Sequence, residues 1–290
     1  MRVFLEHSQP FNLELTLCCG QAFRWEKLGE WWYGVVKDKV LKVKQDGGTL
    51  EFENVNPDFV KEYFGLKDDM PLILTEIAKD KHIEEAVKAL RGLRILRQDP
   101  WECLISYMCA TYKNIPAIKR MLSNLSRRFG EPTVLDGYAF YTFPTAEKLA
   151  DASLKELAEC GLGYRAKYIS ETAKKVSNGE FDVESLKKES YEKAREMLLT
   201  LKGVGLKVAD CVALFALEKL EAFPVDVWIK RVILNHYANH FEKSFTDKVS
   251  LKKSLTKADY ERLSFFGRKY FGRYAGYAQE YLYHFERMNR

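Results

Sequence analysis

The stretch "YEKAREMLLTLKGVGLKVADCVALFAL", Tyr191 to Leu217, reads as helix, short glycine-containing turn, helix. Gly203 and Gly205 punctuate it. Glycine costs backbone entropy, so a closely spaced pair marks a tight turn or a close approach of backbone. Such a turn aims N–H groups outward at the start of the second helix, where a phosphate diester is a fitting anion. A plain helix–helix corner without a ligand accounts for the same two glycines. Lys207 lies in the first turn of the second helix, where the macrodipole disfavours a cation. Either it is a surface lysine paired with Asp210 at i+3, or it is an amine held ready as a nucleophile, with Cys211 on the same face.

A second element bears on that choice. "EAFPVDVWIKRVI" (Glu221–Ile233) starts another helix, with Asp226 at the N-cap position after Pro224. Asp226 is a good cap, worth about 1 kcal/mol. It also follows Lys207 by one helix and one loop, so an antiparallel return brings carboxylate and amine to one cleft. A carboxylate facing an amine beside a phosphate-binding hairpin suits a sugar–phosphate substrate.

Outward from this hairpin the chain has two periods. Over the first ~75 residues apolar positions alternate: "WWYGVV" (31–36), "VLKVKQ" (40–45) and "TLEFENV" (49–55) are short β-rich runs. Lys37-Asp38-Lys39 and Asp46-Gly47-Gly48 are the turns between them, which predicts an antiparallel sheet with hairpins. From about Asp80 the pattern is helical. In "QDPWECLISYMCATY" Asp99 caps, Pro100 takes the first helical position and Glu102 completes the first turn. "IPAIKRMLSNLSRRFG" keeps Ile115, Ile118, Met121 and Leu122 on one face until Gly130. Further helices are expected at 145–159, 164–177, 190–200, 206–218, 225–238 and 275–288. The fold class is α+β: a sheet domain over residues 1–80, followed by a large helical domain over 81–290 that carries the helix-hairpin-helix.

With 290 residues, 47% hydrophobic and 30% charged, the chain has the apolar mass for a sizeable core. Its 46 basic and 41 acidic residues leave a net charge of +5, which permits a nucleic-acid partner without demanding one. No apolar run reaches the ~20 residues of a membrane span. "MRVFLEHSQPF" has polar breaks where a signal peptide is apolar, so an intracellular protein is expected. The six cysteines form no C-x-x-C pair and none lies beyond Cys211, which argues against a zinc ribbon or a C-terminal iron–sulfur cluster. Reduced, mostly buried thiols are expected. Near the C-terminus Arg268, Lys269, Arg273 and Arg287 lie among aromatics, as a solvated face or as phosphate contacts.

"LKGVGLKVADCVALFAL" with "AFPVDVW" resembles the helix-hairpin-helix, Gly/Pro–Asp signature of base-excision DNA glycosylases. "CGQAFRW" (Cys19–Trp25), "LRQDPWECLISYMC" (Leu96–Cys109), "GLGYRAKYI" (Gly161–Ile169) and "GYAQEYLY" (Gly276–Tyr283) extend the likeness to the 8-oxoguanine DNA glycosylase family, in order and over nearly the whole chain. The resemblance implies a bifunctional glycosylase and AP lyase. Lys207 would attack C1′ of the damaged nucleotide and form a Schiff base, β-elimination would cut the strand, and Asp226 would stabilise the cationic transition state and help deprotonate Lys207. It implies no metal or nucleotide cofactor, and a partner that is duplex DNA containing 8-oxoguanine, engaged by a monomer.

The lesion must be extruded from the stack to be reached. 8-Oxoguanine carries an N–H at N7 where guanine has a lone pair. In the family a glycine carbonyl accepts from that N–H, and Gly20 holds the place here; taken alone, Gly20 reads as a strand-edge bulge. Gln279 would read the base's polar edge, Tyr283 would stack on one face and Cys211 would lie against the other, with Pro224 lining the pocket. As residue pattern alone, Tyr283 belongs to a core-facing aromatic stripe. Gly203 and Gly205 would meet phosphate. Asn114, Tyr164 and Arg165 would contact the strand opposite the lesion, Tyr164 as a wedge and Arg165 as a cytosine reader.

Departures fall on the opposite-strand side. In "ATYKNIPAIKR" only Asn114 keeps the family's asparagine pattern; Tyr112 and Lys113 replace two asparagines, and Ala117 stands where an arginine reads the orphaned cytosine. A weaker cytosine preference is therefore expected. Trp228 replaces a histidine common two residues after the aspartate. Two other functions compete. A monofunctional alkylbase glycosylase needs the aspartate but leaves Lys207 unexplained. A non-enzymatic helix-hairpin-helix DNA-binding protein explains Gly203 and Gly205 only.

Overall fold

The computed structural model describes residues 1–289. The early alternating runs form a five-stranded antiparallel sheet in the order β1-β5-β4-β3-β2, with β1 Arg2–Phe4, β2 Trp25–Leu28, β3 Trp31–Val36, β4 Lys39–Asp46 and β5 Thr49–Glu53. Lys37 (φ +56) and Gly47 (φ +50) occupy the turns anticipated at those points. One sheet face places Leu41, Val43, Leu50 and Phe52 entirely out of solvent, over Val60, Phe64 and Leu96. β1 and β2 flank the three strands legible in the sequence.

The alternating period ends sooner than ~75. Helices span Pro57–Tyr63 and Met70–Ile77, capped by the side chains of Asn56 and Asp69 with proline at the helix start, the same signal that opens Pro100–Ala110. The single helix expected over 145–159 is interrupted. Ala146–Asp151 stops where Ala152 turns extended, Ser153 caps Leu154–Leu157 through a capping box with Glu156, and a wider turn follows at Ala158–Leu162. The helical half also contains a small hairpin, Pro132–Leu135 with Tyr138–Tyr141. Its Asp136 and Gly137 both have positive φ, +52 and +78, as a two-residue type I′ connection requires. Asp136 reaches the sheet, pairing Lys42 at 2.6 Å and accepting from Tyr33 Oη at 2.7 Å.

Two features place sheet and helices around one cleft. Helix Ala275–Met288 is buried through most of its length and packs on Lys81–Ala89, Met70–Ile77 and Val227–His236. The loop after helix Leu13–Cys18 is clamped by Gln21, 1% exposed. Its amide donates to the Thr16 and Arg94 carbonyls, its Oε1 accepts from Leu96 N–H, and its own carbonyl accepts from Gln98 and Tyr107. The preceding residue, Gly20, is thereby held against the helical body.

Candidate active site

The hairpin forms as read. Helix Tyr191–Leu198 leads through a turn into helix Leu206–Phe215. Gly203 sits at φ +85, and a Cβ there would lie 2.7 Å from the Tyr168 ring; only glycine fits. Gly205 differs. Its φ is −96°, and a Cβ would meet nothing within 4 Å, so the fold itself does not require glycine there. Gly205 is also the N-cap and offers no side-chain cap bond. The first N–H groups of the helix are left facing open space.

Lys207 is half-buried at the start of that helix. The ion pair with Asp210 is absent. Asp210, wholly buried, accepts from Tyr191 Oη at 2.8 Å, Arg195 Nε at 2.7 Å and Tyr260 Oη at 2.6 Å. A single carboxylate with three donors is fully engaged on the core side of the helix, where breaking the network costs about 3–5 kcal/mol. Lys207 points the other way, its Nζ 4.9 Å from the centroid of the Tyr107 ring. Among the described residues its amine makes no hydrogen bond and no ion pair.

Asp226 caps helix Val227–His236: Oδ1 accepts from Trp228 N–H and Ile229 N–H, both at 2.9 Å. Oδ2 is left for another partner. Burial pushes this carboxyl above its ordinary range, opposed by those two N–H groups and by Lys207. The loop carrying it is fixed from helix Lys257–Phe271. Tyr260 Oη donates to Asp210 and accepts from Val225 N–H at 3.2 Å, while Ser264 donates to the Phe223 carbonyl at 3.0 Å. Tyr260 thus ties the lysine's helix to the aspartate's loop with one hydroxyl. Pro224, next to Val225, is buried. Cys211, one turn after Lys207, is buried too, and burial raises its thiol to about 12 despite the lysine; it is a neutral wall, not a second nucleophile.

Across the cleft, helix Ala275–Met288 supplies Gln279 and, one turn on, Tyr283. Gln279 is 4% exposed, yet its Oε1 has no partner. Buried amide oxygens are normally satisfied, so this one awaits a donor. Tyr283 lies over against Gly20: a Cβ on Gly20 would be 3.4 Å from Tyr283 Oη and 2.9 Å from Arg287 Nη1, at φ +106. Gly20 belongs to a loop after a helix, not to a strand-edge bulge, and no hydrogen bond reaches its carbonyl among the described residues. Arg287 Nη1 donates instead to the Cys19 carbonyl at 2.7 Å and lies over the Tyr283 ring.

The remaining residues form the rim. Asn114 caps helix Ile115–Phe129 through Ala117 N–H. Tyr164 is 59% exposed, beside Tyr168, the ring that packs on Gly203. Arg165 is turned inward and donates to the Thr111 and Leu162 carbonyls, which joins its turn to the one bearing Tyr112, itself 82% exposed. The C-terminal cations do not make one open patch: Arg268 pairs with Glu192 and Arg273 with Glu76. The cysteines are free, with only Cys18 exposed. Sequence reading passed over Gln21 and Tyr260, whose partners lie 75 and 50 residues away.

Comparison with known proteins gives a consistent picture. Residues 3–104 match the family model "8-oxoguanine DNA glycosylase, N-terminal domain", and residues 105–254 match "HhH-GPD superfamily base excision DNA repair protein". An N-glycosylase/DNA lyase of Saccharomyces cerevisiae is 36% identical over 92% of this chain and 81% of its own. A solved structure of MBOgg1 in complex with a low-affinity DNA ligand superposes with a TM-score of 0.89, at 36% identity, over 100% of this chain and 96% of that one. The Clostridium acetobutylicum 8-oxoguanine glycosylase/lyase, solved with double-stranded DNA containing cytosine opposite 8-oxoguanine, gives 0.85 at 33% identity over 96% and 92%.

Proposed function

We propose a mechanism for this chain from one established premise: it belongs to the HhH-GPD superfamily of base excision DNA repair proteins and carries the N-terminal domain of the 8-oxoguanine DNA glycosylases. The chain is a bifunctional N-glycosylase/DNA lyase that excises 8-oxoguanine from duplex DNA. Lys207 Nζ attacks C1′ of the extruded nucleotide. The glycosidic electron pair leaves with the base, the sugar ring opens to a Schiff base on Lys207, and β-elimination breaks the bond to the 3′ phosphate. Asp226 stabilises the positive charge that builds on the sugar before attack is complete. Gly20 accepts from the N7 proton of the lesion, Gln279 meets the base's polar edge, and Tyr283 and Cys211 enclose the ring, with Pro224 beside them. The observation that carries this reading is the amine of Lys207, without hydrogen bond or ion pair among the described residues, whose charge acts on a carboxylate fixed at a helix cap.

The decisive experiment is borohydride trapping on a duplex with one 8-oxoguanine. Base release, a strand break and a covalent protein–DNA adduct are expected together. Release without an adduct makes the enzyme monofunctional; binding without release reduces it to a binding module. A monomer on genomic DNA is the species proposed.

The two hairpin glycines separate folding from binding. Gly203→Ala is expected to destabilise the protein by about 2 kcal/mol, through positive φ and overlap with Tyr168. Gly205→Ala is expected to cost no more than about 1 kcal/mol, as alanine at an N-cap, yet to weaken duplex binding about tenfold by placing a methyl before the phosphate-binding N–H groups. Thermal melting and duplex titration check the pair. An unaltered affinity in Gly205→Ala removes the hairpin from the DNA interface.

Opposite-base preference is expected to be shallow. A bidentate arginine contact to a base edge is worth about 1–3 kcal/mol of discrimination, and Ala117 supplies none. Single-turnover rates opposite cytosine, adenine, guanine and thymine should lie within about tenfold of one another, and Ala117→Arg should steepen the preference for cytosine. A steep cytosine preference in the unaltered protein refutes this.

A further inference from the structure

One buried charged group has no task in the mechanism above. Glu280 stands between Gln279 and Tyr283 in the sequence of helix Ala275–Met288 and is 2% exposed. Its Oε1 has no hydrogen-bond partner, and no cation forms an ion pair with it among the described residues. Around it stand the Cys19 thiol from the clamped loop and the Tyr107 hydroxyl from helix Pro100–Ala110. Lys207 and Cys211 on the hairpin helix and Asp226 at the next helix cap lie within range of its charge, with no ion pair between Lys207 and Glu280. Tyr283 and Arg287 approach it along its own helix. A packing role is met better by an apolar side chain or an amide, because a buried carboxylate with no cation paired to it, one oxygen without a partner and only a thiol bonded to the group is costly to desolvate.

The cleft therefore holds two carboxyl groups and one amine, in unequal surroundings. Asp226 accepts two backbone N–H bonds, which oppose the rise that burial imposes on its carboxyl. Glu280 has the Cys19 thiol in place of two N–H groups, and Asp226 repels its charge. With fewer donors to hold its charge, Glu280 is the member of the pair assigned the proton. Burial in fact raises the Glu280 carboxyl to about 7, with Asp226 adding to the rise and the Cys19 thiol, Arg287 and Lys207 opposing it. Two carboxyls driven apart in this way divide into a fixed anion and a proton carrier.

We propose that Glu280 is the proton acceptor for Lys207: it takes the ammonium proton so that the amine attacks C1′ as a free base. The proposal rests on Lys207 being the nucleophile. In the balanced sequence the proton moves from Nζ to the Glu280 carboxylate and the Nζ lone pair forms the bond to C1′. The glycosidic pair leaves on the base, and the base is neutralised by the proton that Glu280 gives back. Glu280 returns to its anion. It exchanges a proton with Lys207 and with the leaving base, a general acid–base role distinct from the electrostatic one of Asp226.

The test is the pH profile of Lys207 itself. Unaltered protein, Glu280→Gln and Glu280→Asp are compared between pH 5.5 and 9, by borohydride trapping on a duplex with a preformed abasic site and by single-turnover release of 8-oxoguanine. In the unaltered protein both rates should rise with pH through about 7, because the acceptor must be ionised. In Glu280→Gln that rise should vanish, with rates near pH 8 lower by about 10²-fold, the range of general acid–base effects. Glu280→Asp should retain the rise at a reduced rate; a flat Glu280→Asp profile overturns the proposal, even where Glu280→Gln fails to fold. So does a Glu280→Gln profile parallel to the unaltered one, which is the mark of a structural role. A defect on 8-oxoguanine but none on the abasic site also overturns it, placing Glu280 in base reading. Absence of any adduct from the unaltered protein refutes Lys207 as nucleophile, and with it the function from which the inference starts.

Discussion

Lys207→Gln is expected to abolish the borohydride-trapped adduct and to lower 8-oxoguanine release by at least about 10³-fold, the scale seen when a covalent nucleophile is deleted. The structure makes this a clean experiment. The Lys207 amine has no hydrogen bond or ion pair to break, and its contact with the Tyr107 ring is worth about 0.5–1 kcal/mol. Glutamine keeps most of the side-chain stem and cannot form an imine. Melting temperature and duplex affinity should therefore stay close to those of the unaltered protein while chemistry collapses. The measurements are trapping, release of free base and a thermal melt on the same preparations. An adduct that survives in Lys207→Gln transfers the nucleophile to another amine and undoes the mechanism.

The contrast with Asp210 shows what a sequence carries and what it does not. Both acidic residues near Lys207 are visible at helical spacing or one loop away, and an i+3 ion pair between Lys207 and Asp210 is a sound local expectation. It fails because Asp210 belongs to a network built from Tyr191, Arg195 and Tyr260. Tyr260 arrives from a helix that apolar spacing did not announce. Local periodicity carries no information about a partner 50 residues away, and a buried carboxylate with three donors outweighs an exposed pair. The removal of Asp210 from its reach leaves the amine uncommitted.

Elsewhere the legible features were those with short-range physics. The hairpin glycines, the Asp226 cap and the three sheet runs are each decided within a few residues. The signals at Asn56-Pro57 and Asp69 were equally local, but the alternating pattern was carried past them. The proposed lesion pocket is legible only through resemblance. Gly20, Gln279 and Tyr283 lie on two segments some 260 residues apart, and nothing in composition brings them together. What joins them is the Gln21 clamp and the buried course of the final helix. Folding explains why Gln279 is buried and why Gly20 has no side chain; it does not explain an amide oxygen with no donor or a loop carbonyl left open. A ligand does.

Asp226→Asn separates the two roles of that residue. As an N-cap, asparagine is as good as aspartate. Its side-chain oxygen can accept the same bonds from Trp228 and Ile229 N–H that Oδ1 accepts now. Stability should therefore change by less than about 0.5 kcal/mol, and helix Val227–His236 should keep its start. What disappears is the negative charge proposed to face the sugar. Electrostatic stabilisation supplied by one preorganised group is worth about 10²–10³ in rate, and 8-oxoguanine release should fall by that factor. Asp226→Ala removes cap and charge together: the same loss of rate, with about 1 kcal/mol of stability in addition. Single-turnover excision and thermal melting of the two variants decide the matter. If Asp226→Asn excises at the unaltered rate, the aspartate is a cap and no more. If it is slow and fully stable, the carboxylate is there for the cation at C1′, since the amide has taken over everything the helix needs.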